Sequence, residues 1–230
     1  MGYSLDRGTS PTGNDRHFSG LDPKFSPMDD GIGAIAYHER TKHSPRSIRE
    51  GDHRLDFDNK PRPYKLYESL PRQPFAETLR PSPLPALTAI ASDVPPGDGT
   101  SHPDLDAITQ CGYYSGGVTR RIRRRKRELL FRAAACTGAL YHIDLYLVTA
   151  GVNGLDAGVY HFDPMTLSGD VLREGDFRER LGEATGDHPH VAKAPISIVA
   201  TSTWWRNAWK YRARTYRHAF WDTGTVAANL

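Results

Sequence analysis

Residues 204–222 constrain this chain more than any other stretch, because few folds can house so many aromatics and so many cations together. In a helical register Trp205, Trp209, Ala213, Tyr216 and Phe220 share one face, at steps of four, four, three and four. Arg206, Lys210, Arg214 and Arg217 form a second stripe, about 100° further round. No Asp or Glu occurs in the stretch before Asp222. Like charges one turn apart cost roughly a few tenths of a kcal/mol per pair. The pattern therefore predicts one helix with a buried aromatic stripe. Its cations face water or an anion: a phosphate, a carboxylate elsewhere in the fold, or a partner surface.

The chain has 230 residues, enough for one domain with a real core and some extra length. Its net charge of +3 gives no general attraction to nucleic acid, so such binding needs a local patch. Cys111 and Cys136 are the two cysteines. That excludes a disulfide scaffold and suits a reducing, cytoplasmic compartment. No run of 18 apolar residues and no secretory leader is present, so neither a membrane span nor export is expected.

Three regions follow from composition. Residues 1–30 are poor in apolar anchors and read as a disordered tail. Residues 31–103 read as an extended, Pro-rich arm and linker, stiffest from Asp56 to Tyr67 and loosest from Pro71 to Pro103. Two motifs in this arm are formal only. Gly31 to Ala36 matches G-x-G-x-x-A but has no strand ahead of it. His38 and His43 are five apart rather than four, so they do not share a helical face as zinc-protease histidines do.

Residues 104–230 read as the folded part. A helix starts at Asp104, carries Leu105, Ile108 and Cys111 inward, and stops at Ser115 to Gly117. The basic run Arg120–Arg127 reads as a solvated loop, with a phosphate-binding patch or nuclear-localisation signal as the alternative. No aromatics interleave it and no groove-reading motif surrounds it, so no specific nucleic-acid binding is expected. Phe131 to Tyr141 is built of small residues, which fits a helix packed on a neighbour or a backbone approached by a flat ligand. Cys136 within it reads as a small buried thiol, with a nucleophile as the alternative.

Strands are expected at Ile143–Val148, Gly158–Phe162 and Pro195–Thr201, the first two joined as a hairpin. A helix is expected from Asp176 to Ala184. Few strands with flanking helices give an α+β fold. His188 and His190 lack a third ligand, so no metal site is expected. Thr223 to Leu230 begins an apolar helix without a stop signal, which suggests a piece of a longer chain.

Trp205-Arg206-Asn207-Ala208-Trp209-Lys210-Tyr211, then Arg214 to Arg217 and Asp222-Thr223-Gly224, resemble the signature of the flavin-dependent nitroreductase superfamily. The similarity is to the SagB-type branch of thiazoline and oxazoline dehydrogenases, in which a histidine is usual where Thr225 stands. Arg132 to His142 resembles that branch's R-x-A-P-S-A-G-A-L-Y-P segment. Here Ala135 replaces the first proline, Cys136-Thr137 replaces Ser-Ala, and His142 replaces the second proline. Tyr37–Tyr67 resembles the leader of the branch's longer members.

The resemblance implies a nitroreductase-like three-layer fold, incomplete here, and an FMN-dependent oxidoreductase acting on azoline-type peptides or small acceptors. It implies Lys210 as base with Tyr211 as partner, Arg132, Thr137 and Gly138 lining the flavin, and Arg217 at its phosphate. It also implies a second nitroreductase-like half or subunit, forming a dimer or pseudo-dimer, and a peptide or small-molecule substrate. The branch's Arg-Arg-Ser phosphate element is missing between Pro81 and Asp104. That supports the alternative of a degenerate, flavin-free half serving as scaffold or binding module.

Overall fold

The structure, a computed structural model, describes residues 32–51, 53–76, 79–80, 84–92, 102–124 and 127–230. The chain divides into two compact units, Met1–Asp52 and His53–Leu230. The expected tail, residues 1–30, and Gly31 lie outside the described residues.

The first unit contributes α1 (Ile32–Thr41) and α2 (Pro45–Arg49). Pro45 suits the first position of α2, and Ser44 caps it reciprocally with Ser47. Ser47 N donates to Ser44 Oγ at 3.0 Å and Ser44 N donates to Ser47 Oγ at 2.9 Å. Ile32–Ala36 of the G-x-G-x-x-A match is helix, while Gly31 and the residues ahead of it lie outside the described residues.

The second unit contains β1 (Arg72–Pro74), α3 (Ala86–Ala91), α4 (Leu105–Gly116), β2 (Val118–Arg124) and β3 (Arg127–Arg132). It continues with β4 (Ile143–Thr149), β5 (Gly158–Asp163), β6 (Ser168–Glu174), α5 (Arg178–Ala184) and α6 (Pro189–Lys193). It ends with β7 (Ile196–Ser202), α7 (Trp204–Tyr211) and α8 (Thr215–Asn229). Five strands form an antiparallel sheet in the order β1-β6-β5-β4-β7, while β2 and β3 make a separate ribbon.

Alternation along β4 sorts the two sides of the sheet. Ile143, Leu145 and Leu147 face a core shared with Tyr160, Phe162, Phe75, Ile108 of α4 and Val226 of α8. Large apolar side chains of this kind each contribute about 1.5–3 kcal/mol on burial. Helix α4 packs so closely that a Cβ on Gly112 would lie 2.5 Å from the Phe162 ring. The opposite side is polar. Arg72, Asp170, His161 and Tyr146 stand directly across from one another in one row. The Pro-rich arm covers that row: Lys65 Nζ donates to Tyr146 Oη at 2.7 Å, and the Tyr67 ring meets His161 edge-on at 5.1 Å.

The expected strands at 143, 158 and 195, the hairpin of the first two, and the helices expected from 104 and 176 are present within one or two residues. Four expectations change. The linker after Pro71 supplies β1, because Arg72 pairs with Asp170 both by backbone register and by an Nε to Oδ1 bond of 2.9 Å. The described residues of the basic run are strand rather than loop, Arg120–Arg124 on β2 and Arg127 opening β3 of a β-ribbon. Residues 133–141 form no α-helix but a loop with a 3-10 turn at Thr137–Ala139. The single helix over 204–222 is two, broken where Arg212 takes φ 49°. Its aromatic stripe faces outward: Trp205 is 51 % and Phe220 64 % exposed, whereas Arg206 is 3 % exposed. Among the described residues no helix is long and apolar enough to cross a membrane.

Candidate functional site

The candidate site forms where the turn after β3 meets α7 and α8. Small residues let the chain reverse there, and the reversal is strained: Gly138, Ala139 and Tyr141 have φ of 68°, 52° and 46°. A non-glycine residue in this left-handed region costs on the order of 1 kcal/mol or more, so the surroundings must over-determine it.

Asp222 on α8 supplies much of that constraint. Its carboxylate accepts from Thr137 Oγ1 at 2.7 Å, Thr137 N at 3.0 Å and Cys136 Sγ at 3.1 Å, and His142 Nε2 lies 3.0 Å from Oδ2. Burial opposes its charge, but the bonds from His142, Cys136 and Thr137 outweigh that and hold the carboxyl below its usual range. Burial and then the Asp222 carboxylate push the Cys136 thiol up to about 12. Cys136 is thus no activated nucleophile in this state. Thr225 bonds the same turn, Oγ1 donating to Ala135 O at 3.0 Å.

Asp144, buried on β4, is a second anionic centre. It accepts from Thr203 Oγ1 at 2.5 Å and Arg206 Nη1 at 3.2 Å, and Arg206 also donates to Tyr141 O. The anion that answers the cationic stripe at Arg206 is therefore a carboxylate of the fold itself. Across the helix break, Asn207 Oδ1 accepts from Thr215 Oγ1 at 3.1 Å and lies 2.9 Å from His218 Nδ1. This staple sets the angle between α7 and α8. The arm also holds α7, with Trp209 Nε1 donating to Asp56 O at 2.7 Å.

The expected site residues fall as follows. Lys210 and Tyr211 come together at the end of α7, with Lys210 Nζ 5.2 Å from the Tyr211 ring centre. Tyr211 packs edge-on against His218 at 4.6 Å and lies against the exposed Gly138, where a Cβ would lie 2.5 Å from its hydroxyl. Arg132 is half-buried and donates to Pro63 O at 2.8 Å and Ile143 O at 3.3 Å. Its burial, aided by Arg206 nearby, lowers its pKa to about 10. Arg217 stacks on Trp221 at 5.7 Å. A crevice of about 300 Å3, counting its open mouth, is lined by Ser115, Arg132, Cys136, Tyr141, Asp222 and Val226.

Arg132 and Thr137 thus spend hydrogen bonds within the fold, and Gly138 has Tyr211 against one side. Asp222, Asp144 and His142 were missed as site residues. The signal for Asp222 was its being the one acid in the basic-aromatic stretch.

No family model matches the chain. A protein of Methanocaldococcus jannaschii and a solved structure from Anabaena variabilis, both carrying the name "putative nitroreductase", are similar to it. The first is 26 % identical over 100 residues, covering 44 % of this chain and 50 % of that protein. The second is 28 % identical with a TM-score of 0.67, covering 85 % of this chain and 37 % of that one. A nitroreductase-named structure from Ralstonia eutropha has a TM-score of 0.50 at 19 % identity, covering 71 % of each chain. The chain thus spans half or less of the length of the first two relatives, and its sheet with flanking helices is a nitroreductase-like fold.

Proposed function

We propose that this chain is part of an oxidoreductase of the nitroreductase type, SagB-like in acting on azoline-type peptides or small acceptors in the cytoplasm. Its part is the wall that carries Lys210 and Tyr211. FMN, which supplies hydride transfer in such enzymes, is held on this reading chiefly by a second nitroreductase-like half or subunit, in a dimer or pseudo-dimer. The observation that carries the reading is the helix break at Arg212. On a regular helix adjacent residues diverge by about 100°. The break lets Tyr211 lie against Gly138 while Lys210 stays beside its ring, half-buried. Lys210 Nζ then takes the proton that must leave a carbon undergoing dehydrogenation, and Tyr211 orients it.

The second reading, a flavin-free scaffold half, is favoured by the inward commitment of Arg132 and Thr137. Flavin retention separates the two. The chain is incubated with FMN alone, and with FMN plus a complementary nitroreductase-like half, and the yellow chromophore is measured after desalting. The first reading expects retention only with the complement. Absence of flavin and turnover in both arms would leave the scaffold. Stoichiometric FMN on the chain alone would overturn the division of labour.

A further inference from the structure

We propose that Cys136, His142 and Asp222 form a binding site for one divalent cation of the zinc class. The three ligand atoms lie within 4.8 Å of one another, and Asp222 Oδ2 is 3.1 Å from Cys136 Sγ and 3.0 Å from His142 Nε2. Around a tetrahedral zinc with bonds of about 2.0–2.3 Å, neighbouring ligand atoms stand roughly 3.3–3.8 Å apart. The two pairs that include Asp222 need to spread by a few tenths of an ångström, and Cys136 and His142, within 4.8 Å of each other, to close to that spacing, for the ion to be admitted. Thiolate, imidazole and carboxylate together are a donor set suited to zinc or cobalt and poorly suited to magnesium or calcium.

Each ligand also has an outer partner that aims it. Tyr141 N donates to Cys136 Sγ at 3.0 Å, Ser202 Oγ stands 2.8 Å from His142 Nδ1, and Thr137 Oγ1 holds the other carboxylate oxygen at 2.7 Å. Such outer bonds fix tautomer and orientation in metal sites. Cys136 and Asp222 both line the crevice, which gives the ion an entry path and a water in the fourth position. A sequence observation points the same way. Where the chain departs from the Ser and second Pro of the segment it resembles, it carries Cys136 and His142, and the fold brings both to one carboxylate. On binding, the thiol proton leaves to solvent, a sulfur–metal bond forms, and two anionic ligands neutralise the dication. Nothing is oxidised or reduced.

The test uses the whole 230-residue chain, stripped with chelator and loaded with Zn2+ or Co2+. Expected are one metal per chain by elemental analysis and a thiolate-to-cobalt charge-transfer band in the near ultraviolet. Cys136→Ser retains a hydroxyl donor for Asp222; it should lose the band and bind Zn2+ more weakly by at least the roughly 10–100-fold that loss of an outer partner costs. His142→Gln repeats the test if the serine variant does not fold, and Cys111→Ser should leave band and stoichiometry unchanged. Wild-type chain without stoichiometric metal, or without the band, overturns the site and leaves a hydrogen-bonded knot. Unchanged metal content and band in Cys136→Ser overturns it equally.

Discussion

At the scale of single residues, Lys210 and Gly138 make the sharpest demands. A lysine acting as base must lose and regain a proton, which a guanidinium cannot do. In the complete flavin-bearing assembly, Lys210→Arg and Lys210→Ala should both reduce kcat by about 100-fold or more, the lower end of what a general base supplies, with bound flavin absorbance unchanged. Steady-state rates beside the visible spectrum check this. Near wild-type rates for Lys210→Arg would reduce Lys210 to a charge. Gly138 combines φ of 68° with the Tyr211 hydroxyl 2.5 Å from where a Cβ would stand. Gly138→Ala should lower stability by about 1–3 kcal/mol, and adding Tyr211→Phe should restore part of it by removing the nearest atom. Urea unfolding of the three variants measures both changes.

At the scale of elements, α7 is held by a buried ion pair and by the arm. Asp144 is 2 % exposed, and Arg206→Met would leave its carboxylate short of a guanidinium. A loss of about 3–5 kcal/mol is expected, read from the urea midpoint, because removing one partner strands the other charge. The arm has its own signature at high pH. Burial, then the bond to Tyr146, pushes the Tyr67 hydroxyl up to about 12, and Tyr146 moves the same way, chiefly by burial. A free phenol ionises near 10, roughly, so the folded state holds these protons more tightly than the unfolded one. Stability should be intact below about pH 10 and fall as pH rises towards about 12. Tyr67→Phe should flatten that slope in melts taken across the window.

At the scale of the whole molecule, Trp204, Trp205, Tyr216, Phe220 and Trp221 lie on the surface, each more than two-fifths exposed. Exposed apolar surface of this density drives association. Light scattering across a concentration series should show the chain self-associating. Trp205→Glu with Phe220→Glu should shift it to monomer without lowering its melting temperature. A monomer at all concentrations would show that these rings need no cover. The basic run on the β2–β3 ribbon holds no aromatic of its own and faces a single one, Phe131 opposite Arg120, so duplex and single-stranded DNA should bind no tighter than roughly the micromolar level of non-specific contacts at physiological salt.

The sequence by itself determined the local elements whose signals are local. β4 is apolar and β-branched, Asp104 caps α4 by accepting from Ala107 N, and the spacing at 204–222 announced helix. It did not determine which face of that helix lies inside. Periodicity favours burying Trp205 and Phe220. The fold buries Arg206, Asn207, His218 and Asp222 instead, because Asp144 and the strained turn at Thr137 offer these polar groups partners that a sequence pattern cannot display. β6 was likewise hidden, since Ser168 to Glu174 has little β-branched character and is a strand through pairing with β5 and β1. The knot joins Asp222 to Cys136 and His142, 86 and 80 positions earlier, and only the tertiary path of α8 across the turn brings them together.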